Sequence, residues 1–172
     1  MVNAIYVCPL SRLEETVDRT GARYVITAIN PWSIPATPPS VYDDNHLRIA
    51  INDIDAPHGD LVHPEAHHIE QLIAFSKRWS RDGPLVIHCL AGISRSSASA
   101  FITACTLNPD TPETFIARTL REASETARPN PLMVRLADGL LDRNGRMIAA
   151  IRTLSPGAAT MEAETFSIPS CY

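Results

Sequence analysis

Apolar and polar positions alternate between two periods along this chain. Ala4 to Val7 is apolar and partly β-branched and predicts a short strand. Ser11-Arg12-Leu13-Glu14 has the form of a capping box, which predicts a helix from Arg12 to about Arg19 that stops at Gly21. Tyr24 to Ile29 predicts a second strand, ended by Asn30-Pro31. Pro31, Pro35, Pro38 and Pro39 make the stretch to Ser40 an extended loop. Leu47 to Ile51 alternates and predicts a third strand, and Asn52 to His63, polar with Pro and Gly, predicts a loop. From Pro64 to Trp79, residues Ile69, Leu72, Ile73, Phe75 and Trp79 fall near helical spacing, and Pro64 suits a first helical turn. Pro84 to Ile87 is a short, fully apolar strand after Asp82-Gly83. Ser94 to Leu107 is rich in Ala and Ser around Phe101 and Ile102, which predicts a buried helix that packs closely. Three more helices are expected: Thr111-Pro112-Glu113 to about Ala123, Pro131 to Leu141, and Gly145 to Leu154.

Strands alternating with helices predict an α/β fold with a central, largely parallel sheet flanked by helices. Leu85 to Ile87, apolar on both faces, belongs at its centre. No internal repeat interrupts the order. A single domain over residues 1–154 is expected, with 155–172, which lack a clear period, as a loosely ordered C-terminal tail.

Composition narrows the function classes. The 172 residues fit one domain, and 45% hydrophobic with 20% charged residues is an ordinary globular balance. The net charge of −4 argues against non-specific nucleic-acid binding, which needs a basic surface. No apolar stretch approaches the roughly 20 residues of a membrane span. Met1 to Leu10 lacks the form of a secretion signal, so cytoplasmic localisation and reduced thiols are expected. The four cysteines, Cys8, Cys89, Cys105 and Cys171, show no Cys-x-x-Cys spacing.

The chemistry concentrates at His88-Cys89-Leu90-Ala91-Gly92-Ile93-Ser94-Arg95-Ser96. An apolar strand ends at His88, so Cys89 stands at the strand's carboxyl end, where open α/β sheets place their ligands. A helix follows. The amides of Leu90, Ala91, Gly92, Ile93, Ser94 and Arg95 can then face inward as an anion nest backed by the helix N-terminus. That positive environment favours a thiolate nucleophile. Gly92 admits a backbone conformation closed to other residues. Arg95 offers a planar fork for two phosphate oxygens. Ser96 can donate to the thiolate.

His-Cys-x-x-Gly-x-x-Arg-Ser resembles the signature of the cysteine-dependent protein tyrosine phosphatases, and residues 88–96 fill every fixed position. The small size and the flanking sequence resemble the compact dual-specificity branch. The likeness is strong in the loop and weak elsewhere over roughly residues 1–150. The resemblance implies hydrolysis of phosphotyrosine, with phosphoserine and phosphothreonine as further substrates, through a cysteinyl-phosphate. It implies a phosphoprotein or phosphopeptide partner and inhibition by oxyanions such as phosphate or vanadate; no residue supports a cofactor, and no metal is expected. It assigns His88 the task of orienting the loop through hydrogen bonds. It also expects a general acid, an Asp just after an upstream strand. Asp53 is preferred, with Asp55 and Asp60 as rivals in the same loop. Asn130, in Arg128-Pro129-Asn130-Pro131, resembles the family's Pro-Asn step that supports the nucleophile loop; a plain helix cap is the other reading.

Weaker signals remain. His63 and His67 have metal-compatible spacing without an evident third ligand, and His68 adjoins them. His58 lies in the expected acid loop. Cys8 and Cys105 read as small core residues, with a protective disulfide to Cys89 as the alternative. None of the loop's variable residues (Leu90, Ala91, Ile93, Ser94) is basic, whereas related lipid phosphatases that act on inositol headgroups usually carry Lys there, so the resemblance demotes those substrates. Two alternatives stay open: a phosphatase for another non-protein phosphomonoester, and a non-catalytic phosphopeptide-binding module, whose usual mark is loss of the cysteine.

Overall fold

The runs marked by the hydrophobic pattern become strands and helices in the order the pattern predicts. The computed structural model describes residues 3–172; Met1 and Val2, at the start of the expected domain, lie outside the described residues. In chain order the elements are β1 (Ala4–Pro9), α1 (Leu13–Thr20), β2 (Tyr24–Ile29), β3 (His46–Ala50), α2 (Ala66–Arg78), β4 (Leu85–Cys89), α3 (Arg95–Leu107), α4 (Glu113–Ala123), α5 (Pro131–Leu140), α6 (Arg146–Arg152) and β5 (Phe166–Pro169). The sheet order is β3-β2-β4-β1-β5, with β1 to β4 mutually parallel where they pair and β5 antiparallel to β1. The fully buried β4 is the middle strand.

Strand side chains alternate between faces, and the two faces are covered unequally. Ile5, Val7, Ile26, Ile49, Leu85 and Ile87 share one core with α2 to α6. Cys8, Val25 and Val86 share a smaller one with Leu13 and Val17 of α1. In α3, 12 of 13 residues are buried, which its Ser and Ala content permits by allowing close approach to its neighbours. Arg95 at its first position is therefore delivered from a rigid, enclosed element.

Three local expectations are corrected. Ser11 does not cap α1; Leu10–Arg12 forms a 3-10 turn, Arg12 precedes the helix without a side-chain cap, and the Ser11 hydroxyl donates to Glu162. The helix expected from Pro64 begins at Ala66, where Glu65 and His68 form a reciprocal capping box. Residues 155–172 are not a wholly loose tail. Phe166–Pro169 is β5, with Phe166 opposite Val7 and Ile168 opposite Ile5, both side chains buried. Four residues are too few to show a period, and their partner lies at the other end of the chain, so no local signal marks them.

Candidate active site

Cys89 ends β4, and the next five residues turn into α3. The loop is held from outside by its carbonyl groups. Leu90 O accepts from the Leu10 amide at 3.1 Å, Ala91 O from Ala163 at 2.9 Å, and Ile93 O from Arg128 at 2.9 Å. Ser94 O accepts from Ala98 at 2.9 Å and Asn130 at 3.3 Å. A trans peptide points its N–H opposite to its C=O. These anchors therefore turn the amides of Ala91, Gly92, Ser94 and Arg95 inward, and the Gly92 amide does donate to Cys89 Sγ, at 3.3 Å. Gly92 has φ +74°, and a Cβ there would lie 2.9 Å from Pro9 N. Only glycine fits.

Ser96 Oγ sits 3.1 Å from Cys89 Sγ. Arg95 is buried and fixed by one edge: Nη1 donates to Asn30 Oδ1 at 3.0 Å and to Ile51 O at 2.8 Å. Its Nε is buried and, among the described residues, has no partner. A buried guanidinium nitrogen without an acceptor is costly, and an oxyanion on the Nε edge would satisfy it.

Asp53 lies beside the loop. Its Oδ1 accepts from Ser94 Oγ at 2.7 Å and Asn130 Nδ2 at 3.0 Å, and Asn130 Nδ2 also reaches Ile54 O at 3.2 Å. Asn130 meanwhile caps α5 through Met133 N at 3.0 Å, so its side chain joins Asp53 to that helix. Asp53, Asp55, His58, Ser94 and Asn130 line one open cleft of about 450 Å³. Asp60 is not among its lining residues. The loop carrying the aspartates is closed at its base by Asn52, whose amide donates to Val62 O at 2.7 Å and whose Oδ1 accepts from Val62 N at 2.9 Å.

Sequence reasoning missed Asn52, Asn30 and the Leu10 and Ala163 amides. Asn30 carried a signal, as a polar residue ending a buried strand; the two amides carried none. His63 and His67 face Glu65 at 3.9 and 3.5 Å, and among the described residues no group of three His, Cys, Asp or Glu could hold a metal ion. Burial pushes the Cys8 thiol up to about 12 and raises that of Cys105, so neither is a ready thiolate.

A sequence profile of the family described as Protein-tyrosine phosphatase matches residues 57–150, more than half of the chain. The chain belongs to the protein-tyrosine phosphatase family. The matched segment contains the Cys89 loop and Asn130 and begins after Asp53. Solved structures extend the likeness over most of this phosphatase. Human DUSP28 is 18% identical with a TM-score of 0.63, covering 81% of this chain and 92% of its own. DUSP15 is 15% identical with a TM-score of 0.62, over 88% and 92%. A mouse dual-specificity phosphatase complexed with zinc tungstate is 19% identical with a TM-score of 0.57, over 80% and 79%. These identities establish a shared fold of the compact dual-specificity type. No curated protein matches the sequence. Among the described residues, no helix is long and apolar enough to cross a membrane.

Proposed function

We propose that this phosphatase hydrolyses phosphotyrosine, and also phosphoserine or phosphothreonine, in proteins by way of a cysteinyl-phosphate. The reading rests on the unpartnered Nε of Arg95, buried one residue before the Ser96 hydroxyl that contacts Cys89 Sγ. The Cys89 thiolate attacks phosphorus, the P–O ester bond breaks, and Asp53 gives its proton to the departing oxygen. Both donors to Asp53 bind Oδ1, which leaves Oδ2 to carry that proton. Water then attacks the phosphocysteine, Asp53 takes the water's proton, and the S–P bond breaks. Ser96 donates to the thiolate that leaves. Inward amides and Arg95 hold the three equatorial oxygens throughout.

Apolar side chains near the loop support an aromatic phosphoester. Leu90 is 50% exposed within the loop itself, and Trp32, two residues beyond the Asn30 that holds Arg95, is 71% exposed. The tungstate-bound mouse relative is consistent with oxyanion affinity in this fold. Turnover of aryl phosphate, phosphopeptides, phosphoinositides and nucleotides tests the reading. Phosphopeptides should be preferred, Cys89→Ser should abolish turnover, and Asp53→Ala should slow alkyl phosphates roughly 10²–10⁴-fold. Absence of turnover in the wild type would overturn the assignment, and a larger loss in Asp55→Ala would move the acid to Asp55.

A further inference from the structure

On the α1 face of the sheet, where the rest of the small core is apolar, three polar side chains are buried in a row. Thr27 and His88 are direct neighbours in the β2–β4 register, and His46 lies on the same face of β3, opposite Val25. His46 and His88 are each buried, as is Thr27. Thr27 Oγ1 stands 2.6 Å from His88 Nε2 and 2.7 Å from His46 Nε2. His88 Nδ1 is 3.3 Å from Cys89 O, and His46 Nδ1 is 3.1 Å from Thr37 Oγ1.

The Cys89 carbonyl fixes the direction of the protons from His88 through Thr27 to His46 Nε2. A carbonyl only accepts, so His88 carries its proton on Nδ1 and gives it to Cys89 O. Burial pushes both rings down to about 4, so both are neutral near pH 7 and His88 Nε2 is an acceptor. Thr27 must then donate to His88, which leaves its oxygen to accept from His46 Nε2–H. With His46 Nε2 as donor, His46 Nδ1 is the acceptor facing Thr37, whose single proton is shared between it at 3.1 Å and Asp43 Oδ1 at 2.8 Å. The charged groups around the row are Arg48 and Asp43 beside His46 and Arg95 beside His88. Arg48 donates to both Thr37 and Asp43.

We propose that Thr27 and His46 are positioning residues for the nucleophile loop, holding His88 in the Nδ1–H tautomer that pins the Cys89 carbonyl. Pinning that carbonyl turns the Leu90 amide the opposite way, towards the phosphate. The geometric claim concerns the tautomer and peptide plane; its catalytic consequence rests on the proposed role of Cys89.

Two measurements test the two levels separately. Ring-nitrogen NMR of the wild type should show His88 protonated on Nδ1 and His46 on Nε2 at pH 7. The opposite tautomer of either ring overturns the proposal, whether or not the protein has phosphatase activity. In kinetics on an aryl phosphate, Thr27→Val keeps the side-chain shape and removes the hydroxyl. It should lower kcat roughly 10–100-fold, the scale on which losing the hydrogen-bond partner behind a metal-bound His lowers activity. Thr27→Ser should restore kcat to near wild type. A folded Thr27→Val protein with unchanged kcat, or a Thr27→Ser protein as impaired as Thr27→Val, overturns it. The NMR measurement needs no variant, so it decides the relay even where Thr27→Val destabilises the sheet. A wild type with these tautomers and no turnover would overturn the proposed function and leave the relay standing.

Discussion

Adding one methyl group at Gly92 separates backbone strain from steric conflict. A residue with a Cβ in the left-handed region costs about 1–2 kcal/mol. At φ +74° Gly92→Ala incurs that cost, and its Cβ also meets Pro9 N at 2.9 Å and Cys8 C at 3.0 Å. Both atoms are backbone of β1, which is paired to β4 on one side and β5 on the other, so β1 cannot yield easily. Ordinary contact begins at 3.4 Å, so the loop must shift by about half an ångström. Overpacking of this kind adds about 1–3 kcal/mol, for a total near 2–5 kcal/mol. The shift also carries the Gly92 amide away from Cys89 Sγ, and such a displacement should cost roughly 10–100-fold in kcat. Gly21→Ala is the internal control. Gly21 has φ +68° at the end of α1 with nothing among the described residues within 4 Å of its Cβ position. It should lose only the about 1–2 kcal/mol of backbone strain and keep kcat. Urea unfolding and aryl phosphate turnover on both variants read the two quantities. Equal destabilisation in the two variants, or wild-type kcat in Gly92→Ala, would refute the reasoning.

Two further outcomes are expected. Between pH 6.5 and about 4 the unfolded chain binds protons at His46 and His88 that the folded protein resists, so stability falls as pH falls. From pH 7 to 5 the loss should be about 2 kcal/mol for His88 and about 1 for His46, which is less deeply enclosed because β3 is an edge strand. Urea unfolding across that range checks the slope, and a flat profile contradicts it; Asp43 and Glu113, whose values are lowered, act only below this window. Deleting residues 155–172 removes buried Phe166 and Ile168 together with the Ala163 amide that holds Ala91 O. Burial at about 1.5–3 kcal/mol per side chain sets the expected loss near 3–6 kcal/mol, with reduced kcat. A truncated protein with the full-length Tm and kcat would show that residues 155–172 do not support the loop.

How much of this was legible beforehand depended on the range of the interaction. Cys89, Gly92, Arg95 and Ser96 are neighbours in sequence, and the strand before them and helix after them are set by adjacent residues, so the order of side chains carried their arrangement. Asp53 was legible as an aspartate following a strand, although β3 ends at Ala50 rather than Ile51. Sequence order could not show that Asp53, rather than Asp55, meets Ser94 and Asn130, which reach it from α3's leading turn and the start of α5. Ser11 showed the converse: a local cap pattern gave way to a distant partner, Glu162.

By itself the sequence determined the reactive loop and the alternation that makes a largely parallel sheet, because both depend on contacts a few residues long. Only the tertiary structure decided which carbonyls are pinned, which edge of Arg95 is left without a partner among the described residues, and that Thr27 and His46 stand behind His88. Those depend on strand register and on chain segments brought together from opposite ends, where no local preference records the pairing.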